Sequence, residues 1–364
     1  MIAESSAVFQ DQSIAQAPFP RVSTPQGSDP RRAPIDLQTL LRRYEEGDRD
    51  FRGVDLTGVN LENIKLVGAD LSGAVLGFAN LSRASLQGVI LKRAFLYGAN
   101  LSYAKLQNCD LTQADLTKAN LKGALLVRAQ MTQARLSGAT MQGVNLRGAN
   151  LTGVNLCGAN LKGINLRSSN LSGANLNWAN LEGARLSGCC LNQAELNGTR
   201  LCHAWINGVD LSHHDLSGID FQGGHLNGAN LTGANLTAAN LSQTTMRKAN
   251  LAIANVQSAN LTQANLYGAN LQESNLTHSD LACASLVDAD LTGAKLNRVN
   301  LAEANLSRAC LKNAYLWRAC LSQSNLQGTN LTGASLHGAV VDAGAIARDA
   351  ILHETILPNG DCSL

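Results

Sequence analysis

Ala149-Asn150-Leu151-Thr152-Gly153 is one unit of the run that decides the architecture, and Ala229-Asn230-Leu231-Thr232-Gly233 repeats it residue for residue. Outward from Leu151, every fifth residue between Phe51 and Leu336 is a large apolar side chain. There are 58 of these centres in one frame, with no insertion or deletion. Two residues before each centre the chain carries mostly Ala, with small or apolar exceptions such as Val54, Ser169, Cys189 and Thr329. Positions two apart on extended backbone point the same way, so both face inward. The other three positions hold Asn or Asp, Thr or Ser, charges and often a closing Gly, and are assigned to solvent. Five residues per side is too short for a sandwich strand and has the wrong period for a helix stripe. The chain must turn at each unit and coil on itself, stacking successive turns at about 4.8 Å, the usual strand spacing. This is an all-β solenoid. Its internal repeat overrides the two or three globular domains that 364 residues would otherwise suggest.

The flanks read differently. Residues 1–34 hold five of the six prolines among Ser, Gln and Ala. Such a stretch cannot bury enough surface to offset its chain entropy and is expected to be a disordered arm. Residues 35–48 are expected to form one short capping helix, with Leu37, Leu40, Leu41 and Tyr44 on one face. Asp36 is the expected N-cap and Gly47 the stop. The cap would shield the first coil from edge pairing. The repeat occupies 49–340. In 341–364 it decays through Val341, Ile346, Ile351 and Ile356 into a degenerate last turn and tail. Aromatics make up only 4% of the chain, so the core must be narrow and regular. No basic start leads into an apolar stretch, and no segment approaches a membrane span of roughly 18 apolar residues. With nine scattered cysteines, a reduced cytosol is the expected compartment and a membrane is not expected.

Ala-Asp-Leu-Ser-Gly at 69–73 and Ala-Asn-Leu-Lys-Gly at 119–123 resemble the pentapeptide-repeat family, abundant in cyanobacteria. The entry Tyr44-Glu45-Glu46-Gly47 and the exit Ile356-Leu357-Pro358-Asn359-Gly360 resemble its cyanobacterial members. The resemblance implies a right-handed, quadrilateral β-helix with 20 residues per turn, hence about 14 turns here. It also implies regulation by binding other proteins. Members that mimic DNA and bind gyrase are strongly acidic, and some carry inserted loops. This repeat is net positive and uninterrupted, which disfavours that reading.

Several tempting motifs carry little weight. The repeat itself generates Asn-Leu-Thr and Asn-Leu-Ser sequons. Cys189, Cys190, Cys202, His203, His213, His214 and His225 cluster in sequence, but their spacing matches no zinc motif and they fall on different sides. His214 occupies an inward slot, and Phe221 and Gly224 in the same turn suggest volume compensation around it. No nucleophile–base pair, phosphate loop or paired acids stand out, and a loopless solenoid offers no scaffolded active site. The expectation is a protein that is not an enzyme and takes no cofactor.

At 20 residues per turn, the outward residues sort onto four sides. The side centred on Leu66, Leu86 and Leu106 carries Lys65, Lys105, Arg128, Arg147, Arg167, Arg185, Arg247, Lys248 and Arg308 against one acid, Asp288. The side centred on Leu56, Leu76 and Leu96 collects Phe78, Phe95, Tyr97, Trp178, Tyr315 and Trp317. Val75, Ile90 and Tyr103 lie near the first of these rings. Clustered exposed rings mark interaction surfaces. The competing reading is that they cover neighbouring Gly-rich coils. The expected function is a cytosolic protein-binding scaffold, with an unidentified protein partner or a second copy of the chain. The alternative is a nucleic-acid or anionic-surface binder acting through the basic side, where phosphate contacts give affinity without sequence readout.

Overall fold

The pentad closes because each of its backbone N–H groups finds an acceptor. In the unit around Leu151, the Leu151 N–H donates to Asn170 O (2.7 Å) and that of Gly153 to Ser172 O (2.9 Å), both on the next coil. The Asn155 N–H donates back to Ala134 O (3.0 Å), and the Val154 N–H closes a turn onto Leu151 O (3.1 Å). That leaves the Thr152 N–H, which donates to the Asn150 side-chain Oδ1 (3.2 Å). This is why Asn or Asp precedes so many centres: its side chain serves the one amide that the ladder cannot reach. Gly153, with φ of +63°, is the turn residue that needs the left-handed region, as in a type II turn.

The structure, a computed structural model, describes residues 35–342 and 349–363; the arm expected to be disordered, 1–34, and the expected centre Ile346 lie outside them. Parallel bridges join residues 20 apart, from Asp50↔Asp70 to Cys320↔Val340, so four pentads complete one coil. Every centre from Phe51 to Leu336 is buried, and the small residues two before them line the same core. Ser169, Ser274 and Thr244 are tolerated there because each hydroxyl donates to the carbonyl of the preceding centre at 2.6 Å.

The one helix among the described residues, α1 (Leu37–Glu45), starts where its cap predicts. Asp36 Oδ1 accepts from the Thr39 N–H at 2.8 Å. The helix ends with Gly47 at φ +96°. The Asp48 N–H returns to Arg43 O and that of Gly47 to Tyr44 O, a Schellman closure. Leu40 is fully buried against the first coil. Arg43 donates to Asp50 O (3.2 Å) and the Tyr44 hydroxyl to Val67 O (3.0 Å), occupying two carbonyls of the open ladder edge. Beside them a hollow of about 740 Å³, lined by Leu37, Leu41, Ile64 and Val67, is left open.

Two places depart from the sequence reading. Among the described residues, no backbone hydrogen bond joins the sides centred on Leu191 and Leu196 to those centred on Leu211 and Leu216. The bridges that the register requires there, Cys190 to Asp210 and Glu195 to Asp215, are not formed. His214 stands between these coils, half-buried, with Nε2 2.9 Å from Leu191 O and Nδ1 3.0 Å from Ser212 O. Its Nε2 contact with Leu191 O links the coils through a side chain where the ladder would have used amides. The backbone just before Gly224, rather than the bulk of His214, excludes a side chain there, since a Cβ would meet Phe221 O at 2.8 Å.

The last coil corrects the frame. Asn330 pairs with Ile351 and Ser335 with Ile356, a spacing of 21 rather than 20. Ile351 and Ile356, read as centres, are therefore exposed bridge residues, while Leu352 packs against the core and Leu357 is half-buried. In Ile-Leu pairs either residue satisfies an apolar pattern, so periodicity alone could not choose. The chain then folds back, with Ile356 and Cys362 in an antiparallel bridge.

Candidate protein-interaction faces

The structure brings Val75, Phe78, Phe95 and Tyr97 together. Val75 and Phe95 are bridge partners on adjacent coils. The Phe95 and Tyr97 rings stack at 6.1 Å, and Phe78 meets Tyr97 edge-on at 5.5 Å and 76°. Phe78 remains 64% exposed and Phe95 43%, whereas Val75 and Tyr97 are half-buried. Ile90 and Tyr103 sit on the two neighbouring sides. Ile90 pairs with Asp70 and Asp110, and the Tyr103 ring lies against Gly123.

These rings also cover coil surface, and the glycines show how. A Cβ on Gly98 would come within 2.8 Å of the Phe78 ring, and one on Gly77 within 2.9 Å of Phe95. The same holds for Gly123 under Tyr103, Gly198 under Trp178, Gly223 under His203 and Gly233 under His213. A ring at the last position of a pentad leans along the rod axis onto the equivalent position 20 residues on, and Gly there leaves room for it. Covering glycine therefore accounts for the inner face of each ring. It leaves unexplained why the outer faces of Phe78 and Trp178, the latter 71% exposed, are presented to solvent.

At the opposite end of this side, Trp317 is flanked by two guanidiniums, that of Arg298 at 4.9 Å from the ring centroid and that of Arg318 at 4.6 Å. Tyr315 is exposed and bridges to Lys295. Sequence reasoning missed the stacking of Trp205 on His225 at 4.0 Å, on the basic side. Their spacing of 20 was the available signal, since it makes them bridge partners.

The basic side is real as a surface. All nine cations are exposed. Arg308 is engaged by Asp288 through two hydrogen bonds of 2.7 and 2.9 Å, which hold the Asp288 carboxyl below its ordinary range. Arg247 lies over Tyr267. The remaining seven, Lys65, Lys105, Arg128, Arg147, Arg167, Arg185 and Lys248, form no ion pair among the described residues. A shallow depression of about 510 Å³ runs between Asn108, Arg128, Arg147 and Ser168.

The Cys/His cluster disperses. Burial pushes the Cys189 thiol up to about 12, as it does that of Cys109. His203 and His213 lie on glycines, the ring nitrogens of His214 face the Ser212 and Leu191 carbonyls, and His225 stacks on Trp205. Among the described residues, no group of three or more His, Cys, Asp or Glu side chains is arranged to hold a metal ion. No described helix is long and apolar enough to cross a membrane.

The pentapeptide-repeat family model matches in nine stretches between residues 50 and 341. The chain belongs to the pentapeptide-repeat family. Its members' fold gives the coil its hand, a right-handed quadrilateral β-helix. No curated protein matches the chain. Among solved structures, HetL is a pentapeptide repeat protein involved in heterocyst differentiation regulation, from the cyanobacterium Nostoc sp. strain PCC 7120. It is 29% identical, covering 90% of this chain and 100% of its own, with a TM-score of 0.25. A thylakoid-lumen pentapeptide repeat protein from Arabidopsis thaliana is 30% identical, over 25% of this chain and 63% of its own, with a TM-score of 0.24. Full-length QnrB1, a plasmid-mediated fluoroquinolone resistance protein, is 20% identical, over 50% and 93%, with a TM-score of 0.32. Membership rests on the repeat match rather than on these superpositions.

Proposed function

We propose that this pentapeptide-repeat protein is a non-enzymatic scaffold of about 14 turns, capped by α1, that regulates a protein partner in the cytosol by binding it. The observation that carries the reading is the ring cluster of Phe78, Phe95 and Tyr97, three mutually packed rings of which Phe78 and Phe95 stay exposed. A fixed ladder loses little conformational entropy on binding, and rings already held in place add to that advantage. Burying one such ring at a hot spot contributes on the order of 2 kcal/mol, more than tenfold in affinity.

The test is Phe95→Asn combined with Tyr97→Thr. The rod is expected to stay folded, because Asp115 and Thr117 fill the equivalent positions one coil on. The variant should lose co-purifying protein, or its self-association, in nuclease-treated native extract. An unchanged set of companions and an unchanged oligomeric state would show that the rings only cover coil surface. If the companions of the parent vanish with nuclease, the partner is nucleic acid, and the seven unpaired cations of the basic side become the binding surface.

A further inference from the structure

We propose that the Arg298–Trp317–Arg318 cluster is a docking point for a short Asp/Glu-rich segment of a partner protein. The proposal rests on the scaffold reading above and adds the chemistry of what one end of the aromatic side takes.

Four cations elsewhere on the rod pair with an acid on the adjacent coil: Lys92 with Asp110, Arg135 with Asp115, Lys162 with Glu182 and Arg308 with Asp288. At this end, as at Arg147 and Arg167 on the basic side, the register puts like with like. Residues 278, 298 and 318 form one column of His, Arg and Arg, and Lys295 precedes Tyr315 in the next. Lys295, Arg298 and Arg318 are exposed and make no ion pair among the described residues. Two guanidiniums from adjacent coils, at 4.9 and 4.6 Å from one ring centroid, repel each other. The Trp317 ring that both contact offsets part of that cost, and Asn297 Oδ1 anchors this residue by accepting from the Trp317 backbone N–H at 3.1 Å. A guanidinium laid against a ring keeps its N–H edge free for a carboxylate, which it grips bidentately. Two such forks beside an exposed Tyr315 present a ready-made site for successive carboxylates.

The extent of the cluster favours a peptide over a nucleic-acid strand. Its cationic column ends at Gly338 on one side, and beyond His278 it continues only as Ser258 and Ala238. A phosphodiester chain needs cations repeated along its track, as the basic side provides and this side does not. A short acidic segment needs only the two forks and the ring.

The experiment uses the purified full chain and a short fluorescein-labelled peptide of alternating glutamate and glycine, with binding followed by anisotropy at moderate salt. Arg298→Gln with Arg318→Gln is expected to weaken binding by roughly tenfold or more. Arg147→Gln with Arg167→Gln removes the same charge from the basic side and should leave affinity within about twofold. Both substitutions are at exposed positions, and unchanged thermal melts of both variants confirm that the comparison is like for like. Equal weakening by the two pairs, or no peptide binding by the parent, overturns the proposal. So does an oligothymidylate that binds better than the peptide and loses affinity with Arg298 and Arg318. The readout is separate from the scaffold test, because the Phe95→Asn, Tyr97→Thr variant should bind this peptide as the parent does even if its native companions are unaffected.

Discussion

Replacing Gly98 by Ala tests how the ring cluster is held on the rod. Gly98 has φ of +64°, and a Cβ there would lie 2.8 Å from both Cδ1 and Cε1 of Phe78. Gly88 has nearly the same φ, +65°, with open space where its Cβ would be. The two substitutions share the backbone cost of an L side chain in the left-handed region, about 1 kcal/mol, and differ only in the ring. Phe78 is 64% exposed, so about a third of its side chain is covered, on the order of 70 Å². At about 25 cal/mol/Å² its displacement forfeits ~1.7 kcal/mol. Losing the edge contact with Tyr97 adds ~0.5–1.5 kcal/mol. Gly98→Ala should therefore cost about 3–4 kcal/mol and Gly88→Ala about 1. Adding Phe78→Ala to Gly98→Ala should cost almost nothing further, because the ring has already been displaced. A solenoid opens locally, so the assay is hydrogen exchange at the amides of Phe78 and Gly98, which donate to Tyr97 O and Thr117 O. Urea unfolding gives the global figure. Equal costs for Gly98→Ala and Gly88→Ala would refute the reasoning, because the ring would then contribute nothing to the coil beneath it.

Two further outcomes follow from the inward and outward assignments. Leu166→Asp places an unpaired charge at a fully buried centre and should cost upwards of about 4 kcal/mol, whereas Arg167→Ala at the adjacent exposed position should stay within about 0.5 kcal/mol. Thermal denaturation checks the pair, and similar midpoints would contradict the core. His214→Ala supplies the residue that most units carry at this slot, and should let the coils centred on Leu191 and Leu211 close. Slowed exchange at the amides of Leu191, Gln193, Leu196 and Gly198 is the expected sign. Continued fast exchange would mean that something other than the imidazole keeps them apart.

The five-residue period was enough to fix the core. A large apolar residue every fifth position, without a break, admits only a chain that turns at each unit, and the centres from Phe51 to Leu336 are all buried as that requires. The helix was legible for a similar reason: Asp36 and Gly47 act within one turn of α1, where local sequence controls geometry. The likeness to known repeats supplied the number of sides, and the side assignments of the rings and cations followed from it. What the sequence left undecided depends on contacts between coils. Ile351 against Leu352, and Ile356 against Leu357, are equivalent as apolar residues, and only pairing with Asn330 and Ser335 selects which one faces inward. That His214 would separate neighbouring coils instead of filling the core depends on which carbonyls its ring can reach, Leu191 O and Ser212 O. Whether an outward ring stands free or leans on glycine is likewise set one coil away, at Gly98 for Phe78 and Gly198 for Trp178. The pentad pattern is local and survives in one dimension. The surface of the rod is made by residues 20 apart, and those neighbours exist only once the chain has coiled.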